Sequence, residues 1–312
     1  MPAVSAQPTE AELDALWDAC SGANWGRWGA DDDRGTLNHL TDEHRLRAAA
    51  LVVDGVTISL AHNLGVDPTP ECPVPAQHHM LAAGDSRDNM NIPGYEASRD
   101  YVGTQVHGLG ITHVDALCHM FVKNQMYNGR PPSDVTSVGA KTNTVMTIAD
   151  GIVGRGVLLD IAGLRGVPFL EPDDYITLED LAAAEAREGV TVGTGDILMI
   201  ATGRESRDDA VGFQGLAGVH AECLPWLRER EIAALGSDGI TDPIPGLGIP
   251  NWPFPIHMTG IAGMGIHLVD NMALRALGAA CAERNRWEFL FMLSPLRVVG
   301  GTGCPVNPLA VL

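Results

Sequence analysis

The apolar runs of this chain are short, and this limits its fold more than any other feature. Five runs bounded by Gly or Asp are typical of buried strands: Thr57–Leu60, Gly156–Ile161, Asp196–Ala201, Ala233–Leu235 and Phe289–Leu293. Five other segments have helical character: Thr9–Cys20, Asp42–Val53, Leu178–Glu188, His220–Glu231 and Asp270–Arg284. These helices are too few and too irregularly placed for a repeating strand–helix alternation. The pattern predicts a mixed α/β fold rather than a doubly wound sheet.

The length of 312 residues permits one large domain or two ordinary ones. We predict a single domain over residues 1–312, with a helical extension at 1–55. Segment 65–100 has no periodicity and contains five prolines. A loop this long in a compact domain is usually functional or disordered. Because it directly precedes the richest polar cluster of the chain, we predict that it forms a lid.

Charge and composition exclude several classes of function. Lys and Arg number 20 against 39 Asp and Glu, a net charge of −19. Such a balance argues against a nucleic-acid partner, which requires basic residues, and against an anionic membrane surface. The uncharged stretch Pro243–Val269 contains five Pro and five Gly, which would leave backbone groups unpaired in lipid. We therefore expect a small-molecule substrate as the partner.

The start of the chain and the cysteines predict a cytoplasmic location. Met1–Leu16 has neither a basic region nor an apolar run, so no signal peptide is expected. Six scattered cysteines without CxxC spacing are typical of reduced, mostly buried thiols.

Polar residues are densest between His107 and His119. In an extended backbone, His113 and Asp115 project from one face. An imidazole nitrogen and a carboxylate oxygen so placed can bind one divalent metal. His119, four residues beyond Asp115, would lie at the rim within reach for proton transfer. The alternative is an ordinary half-exposed strand, but two His and one Asp within seven residues favour the functional interpretation.

A second polar group lies near the C-terminus. His257 follows Pro253 and Pro255, which stiffen the chain before it. Asp270 is either a further ligand or the cap of the helix predicted to begin there. His267 stands between apolar residues and is expected to be a buried core histidine.

Two common catalytic motifs are missing from the sequence. The Gly-rich segments at 215–218 and 300–303 are followed by no Lys, so neither is a phosphate loop. The G-x-S-x-G motif of serine hydrolases does not occur.

Thr112-His113-Val114-Asp115, together with His119, resembles the signature H-x-G-T-H-x-D-x-P-x-H of the cyclase and kynurenine-formamidase-like metal hydrolases. This family includes bacterial kynurenine formamidase, isatin hydrolase and a metal-dependent dienelactone hydrolase. Three further segments resemble its longer branch: Asn24–Asn38, Gly195–Gly203 and Gly301–Pro308. The resemblance therefore extends over nearly the whole chain.

The resemblance implies a swivelling β/β/α fold, a homodimer or higher homo-oligomer, and a Zn²⁺ or Mn²⁺ site that hydrolyses an amide or a related ester. His113 and Asp115 match two metal ligands, and His119 matches the acid/base histidine. His257 matches the C-terminal histidine, and Asp270 stands near where many members have a Glu.

The sequence departs from the signature at three positions: Leu109 replaces the first His, Ile111 replaces Gly and Leu117 replaces Pro. Leu109 cannot bind a metal, and His107 is the nearest substitute. Six residues of regular strand would span ~20 Å and leave His107 out of reach. Gly108 and Gly110 would permit a bend that brings it in.

We therefore expect a metal-dependent hydrolase of a C–N bond or a lactone, in which the metal activates water and His119 transfers the proton. The predicted ligands are His113 and Asp115, completed from His257, His107 and Asp270. Apolar walls for a ring substrate are expected from four aromatic residues: Trp25, Trp28, Trp252 and Phe254. Two alternatives stay open, a metal-free acid–base enzyme on the same scaffold and a catalytically silent binding protein.

Overall fold

A nine-stranded mixed sheet organises the residues described by this computed structural model, 7–85 and 92–312. The strands are β1 Thr57–Ser59, β2 Gln77–Ala82, β3 Arg99–Gly103, β4 His113–Asp115, β5 Val135–Thr136, β6 Gly139–Ala140, β7 Ile152–Asp160, β8 Tyr175–Ile176, β9 Ile197–Ala201, β10 Gly218–Val219, β11 Ala234–Ser237, β12 His267–Asp270, β13 Glu288–Leu293, β14 Gly303–Pro305 and β15 Leu309–Val311. The helices are α1 Glu10–Asn24, α2 Asp42–Ala49, α3 Ile161–Leu164, α4 Leu178–Glu188, α5 Arg204–Val211, α6 Leu224–Glu229, α7 Pro255–His257 and α8 Arg275–Arg284. A π-helical segment, Met258–Met264, directly follows α7.

The large sheet combines a parallel centre with antiparallel flanks. Its strand order is β1-β15-β13-β7-β9-β11-β12-β4-β14. The pairs β7–β9, β9–β11 and β11–β12 are parallel, whereas β12–β4 and β4–β14 are antiparallel. Three two-stranded sheets lie outside it: β8–β10, β2–β3 and β5–β6. The predicted mixed α/β class is therefore confirmed.

Both faces of the sheet are buried at its centre, where every residue of β9 is apolar and buried and β7 continues as the apolar run Val157–Leu159. Val157 and Leu159 of β7 belong to one core cluster, which also contains Trp17 of α1. Leu158 points the other way, into a second cluster that contains Phe291. This alternation explains why the central strands appear in the sequence as continuous apolar runs.

Most predicted helices are present, with shifted ends. Helix α1 begins after Thr9, whose side chain forms a reciprocal capping box with Glu12. The helix predicted from Asp42 is α2, which is capped by Thr41 rather than by Asp42. Helix α4 has the predicted bounds, and its N-cap is Thr177.

Two predictions require correction. The helix predicted to start at Asp270 begins at Arg275, and Asp270 instead ends strand β12. Segment 65–100 is not entirely loop, because it contains β2 and the start of β3. Residues 86–91 of this segment and 1–6 of the helical extension lie outside the described residues. The lid role and the single-domain extent stay predictions.

No helix among the described residues combines the length and the apolar character needed to cross a membrane. All six cysteines are free, and all except Cys72 are buried.

One carboxyl group in the helical layer is buried against the end of a strand. Glu188 ends α4, its side chain is fully buried, and its Oε1 atom accepts a hydrogen bond from the backbone N–H of Asp160 at 2.8 Å. Burial raises the pKa of Glu188 to about 7.

We predict that Glu188→Gln stabilises the protein at pH 8 but not at pH 4. In the unfolded chain this carboxyl ionises near its ordinary value of 4.5, so folding loses stability as the pH rises toward 7. Gln keeps the acceptor for Asp160 without the charge. The expected gain is about 1–3 kcal/mol, since one pKa unit corresponds to about 1.4 kcal/mol. Thermal melts of both proteins at the two pH values test this, and an equal change at both would contradict it.

Candidate active site

The candidate site lies where the parallel part of the sheet ends. Asp270 is the last residue of β12, and it pairs in register with His113 on the antiparallel strand β4. Asp242 follows the carboxyl end of the neighbouring strand β11. Loops at the carboxyl ends of parallel strands commonly collect functional groups.

Strand β4 supplies two of the polar groups. His113 and Asp115 share one face, whereas Val114 between them packs into the core on the other. The Nε2 atom of His113 lies 3.4 Å from Oδ1 of Asp115 and 3.9 Å from Oδ2 of Asp270. All three polar side chains are buried.

Asp242 fixes His257 at the start of the π-helical segment. Its carboxylate accepts hydrogen bonds from the backbone N–H groups of Ile256 and His257 and from Nδ1 of the His257 ring, the last at 2.8 Å. The ring therefore turns Nε2 toward the same two carboxylates. This atom lies 3.1 Å from Oδ2 of Asp270 and 3.7 Å from Oδ2 of Asp115.

His107 reaches the polar cluster formed by His113, Asp115, His257 and Asp270 through a bend in the chain. Gly108 has a φ of +142°, a conformation that favours glycine, and the chain is not a strand between 106 and 111. Nδ1 of His107 lies 2.8 Å from Oδ1 of Asp115, and Nε2 lies 2.9 Å from the hydroxyl of Thr302. Its ring stacks on that of His119 with the centroids 3.7 Å apart.

The hydrogen bonds hold the rings of His113 and His257 so that a proton or a cation is favoured between each Nε2 atom and the carboxylates. Nδ1–H of His113 donates to the carbonyl of Ile111, as that of His257 does to Asp242. In their neutral forms, both rings therefore aim the Nε2 lone pair at carboxylates. A lone pair facing a carboxylate is repulsive unless a proton or a metal ion lies between them.

The pKa values reflect this arrangement. Burial alone would lower the pKa of His113, but its hydrogen bond to Asp115 and the charges of Asp115 and Asp270 raise it to about 9. Burial would also lower the pKa of His257, but the charges of Asp270 and Asp242 and the hydrogen bonds to them raise this pKa well above its ordinary value. Burial lowers the pKa of His119 to about 4, so this ring is neutral at pH 7.

The residues present fit a divalent cation. Oδ2 of Asp115 and Oδ1 of Asp270 are buried and have no hydrogen-bond partner within the described part of the chain. Two sets of nitrogen and oxygen atoms lie within 4.8 Å of one another: His113 with Asp115 and Asp270, and His107 with Asp115 and His119. Imidazole and carboxylate donors of this kind suit Zn²⁺ and Mn²⁺.

Leu109 belongs to neither set of candidate ligands. Its side chain lines a cavity of about 410 Å³ that is bordered by His62, Cys72 and Arg204, while its carbonyl accepts a hydrogen bond from Arg204. His267 is fully buried, and its Nδ1–H donates to the carbonyl of Asp115, as expected for a core histidine.

The predicted aromatic walls have other contacts. Trp252 is 2% exposed and packs near Trp17, and the indole N–H of Trp25 donates to a backbone carbonyl of the π-helical segment. Trp28 contacts the ring of His39 edge-on. Phe254 is half-buried three residues before His257. The substrate-binding role of these four residues stays a prediction.

Sequence reasoning missed four residues that form hydrogen bonds to the candidate histidines or to the backbone beside them: Asp242, Thr302, Arg204 and Asn271. Asp242 is visible in the sequence only as part of an acidic turn. The others have no local signal, because each acts through contacts distant in the chain.

A sequence model of the Cyclase family, described as "Putative cyclase", matches residues 11–241. The chain belongs to this family and is a cyclase-family enzyme. Among curated proteins, none matches its sequence.

Solved structures agree with this assignment. A protein described as a novel cyclase is 29% identical, with a TM-score of 0.83, over 93% of this chain and 99% of its own. Isatin hydrolase A from Labrenzia aggregata, bound to benzyl benzoate, is 21% identical with a TM-score of 0.58, over 84% and 94%. A potential metal-dependent hydrolase with cyclase activity is 16% identical with a TM-score of 0.50, over 82% and 98%. The expected cyclase-family fold is confirmed, whereas the homo-oligomer and the cytoplasmic location stay predictions.

We predict that His113 of the metal-free protein is doubly protonated at pH 7.5, whereas His119 is neutral. The reason is the difference between pKa values of about 9 and about 4. Spectra of ¹⁵N-histidine-labelled protein over a pH series measure both, with His113→Gln and His119→Gln to assign the signals. A midpoint below pH 7 for His113 would contradict the electrostatic description of the cluster.

Proposed function

We propose that the protein is a metal-dependent hydrolase that cleaves a C–N bond of an amide, lactam or formamide, or a lactone, in a small cyclic or aromatic substrate. One observation carries the proposal. The Nε2 atoms of His113 and His257 are turned, by hydrogen bonds to their Nδ1 atoms, toward two buried carboxylates that retain unpartnered oxygens. Such an arrangement is stable with a cation at its centre.

His113 and Asp115 would hold the cation, and the set would be completed from His257, Asp270 and His107. When bound, a divalent ion supplies polarisation of the substrate carbonyl and lowers the pKa of water toward neutrality. The chain's own contribution is orientation. Asp242 holds the ring of His257, and the carbonyl of Ile111 holds the ring of His113.

His119 is proposed as the acid/base residue. Its neutral ring can accept a proton from the attacking water and deliver it to the leaving nitrogen or oxygen. The ring is half-buried, stacks on His107 and lies beyond the buried ligand strand β4. Since His119 also falls within 4.8 Å of ligand atoms of His107 and Asp115, the experiment on this residue must separate the two roles.

The described relatives support the substrate class. One structural neighbour is described as an isatin hydrolase bound to benzyl benzoate, and another as a potential metal-dependent hydrolase with cyclase activity. Isatin, an aromatic formamide and a γ-lactone therefore form a suitable panel of test substrates.

A second candidate function is metal-free acid–base catalysis, such as dehydration, isomerisation or cyclisation. Leu109 replaces a family ligand, and two protonated histidines, His113 and His257, would balance the charges of Asp115 and Asp270 without a metal.

We predict that protein purified without chelator binds a divalent metal and hydrolyses a member of the panel, and that His113→Ala loses both. Elemental analysis and turnover assays measure this, with and without chelator. His44→Gln is a matched control, because Gln at the third helical position can maintain the capping interaction with Thr41. Chelator-insensitive turnover by protein without metal would favour the second candidate.

We predict that His119→Ala keeps its metal while kcat falls by about 10²–10⁴-fold, the usual contribution of general acid–base catalysis. Metal content and steady-state kinetics are measured on the same preparation. If the metal is lost together with the activity, His119 is a ligand.

A further inference from the structure

The segment that carries His107 toward the cluster is held by two buried side chains. Asn271, directly after Asp270, donates from Nδ2 to the carbonyl of Gly108 at 2.7 Å and to that of Ile111 at 3.1 Å. Arg204, at the start of α5, donates from Nη2 to the carbonyl of Leu109 at 2.6 Å. Three carbonyls of the bend are thereby bonded to groups outside it.

The two side chains also hold each other. Nη1 of Arg204 donates to Oδ1 of Asn271 at 2.5 Å and to the carbonyl of Asp238 at 3.2 Å. The Asp238 carboxylate in turn accepts hydrogen bonds from the backbone N–H groups of Gly203 and Arg204. Arg204 is 6% exposed and Asn271 is completely buried. The network therefore joins the carboxyl ends of β11 and β12 to the bend.

Without these hydrogen bonds, the backbone conformation of the bend would be poorly defined. It contains two glycines and is not part of the sheet. Its shape decides whether Nδ1 of His107 lies beside Oδ1 of Asp115. Ile111 adds a second connection, since its carbonyl accepts from both Nδ2 of Asn271 and Nδ1 of His113.

We propose that Arg204 and Asn271 are positioning residues, which set the geometry of His107 and thereby the metal affinity of the cluster. This inference rests on the proposed function in one respect, the presence of a metal. Arg204 touches no candidate ligand itself and acts through the carbonyls of the bend. Lys cannot replace it, because a single ammonium group cannot reproduce the planar set of donors that bonds Leu109, Asn271 and Asp238 together.

The test compares Arg204→Lys with Arg207→Lys. Arg207 lies on the same helix, is 4% exposed and pairs with Glu171, so it controls for a buried arginine with a purely structural role. Affinity for Mn²⁺ or Zn²⁺ is measured by calorimetry. Loss of an outer hydrogen bond of a metal site commonly costs 10–100-fold in affinity. We expect a weakening in this range for Arg204→Lys and none for Arg207→Lys.

A double-mutant cycle identifies the route of the effect. In a His107→Ala background, Arg204→Lys should weaken metal binding much less than it does in wild type, because only the connection through Ile111 to His113 remains. Additive losses would overturn the proposal. If Arg204→Lys does not fold, Asn271→Gly provides the same comparison, since glycine tolerates the φ of +54° at this position.

A metal-independent measurement separates this inference from the proposed function. On metal-free protein, the labelling rate of His107 by diethylpyrocarbonate is followed by peptide mass spectrometry. Positioning predicts a several-fold faster reaction in Arg204→Lys than in wild type and Arg207→Lys. Equal rates would overturn the inference. If the protein binds no metal but His107 is labelled faster in Arg204→Lys, the positioning of His107 is supported. The effect on metal affinity and the metal-dependent function would then both be wrong.

Discussion

The site is built around two buried carboxylates, Asp115 and Asp270, which are at most 2% exposed. Asp115 and Asp270 end up near each other because β4 pairs antiparallel with β12, which sets His113 opposite Asp270. Carboxylate oxygens of the two residues lie within 4.8 Å of each other. Two buried negative charges this close are strongly unfavourable unless positive charge lies between them. The orientation of His113 and His257 follows from that requirement, whether the positive charge is a proton or a metal ion.

The surrounding structure maintains this orientation from outside the cluster. The carboxylate of Asp242 accepts hydrogen bonds from two backbone N–H groups and from one ring nitrogen of His257, and these bonds stabilise one orientation of the ring. Arg204 and Asn271 do the same for the backbone before His113. The strands contribute rigid positions, and the loops at their carboxyl ends contribute the polar groups.

Local sequence pattern predicted much of this structure but not the long-range contacts. The capped helices and the apolar central strands could be recognised because their signals lie within a few residues. Asp270 was ambiguous, since a short apolar run before an acidic residue fits both a strand and the approach to a helix. The pairing of β12 with β11 and β4, in which Asp270 lies opposite His113, makes this segment a strand. Similarly, the same-face placement of His113 and Asp115 follows from strand geometry, whereas the partnership of Arg204 with Leu109 depends on tertiary folding.

The alternation along β4 has a consequence for folding. His113 and Asp115 point into the polar cluster, and Val114 points into an apolar core. A slip of one residue in the pairing with β12 would bury both polar side chains in that core and move Val114 among the carboxylates. A strand of three residues has few backbone hydrogen bonds with which to define its alignment. The chemical difference between its two sides therefore discriminates against misaligned chains, so the groups assembled for chemistry also help to select the correct pairing.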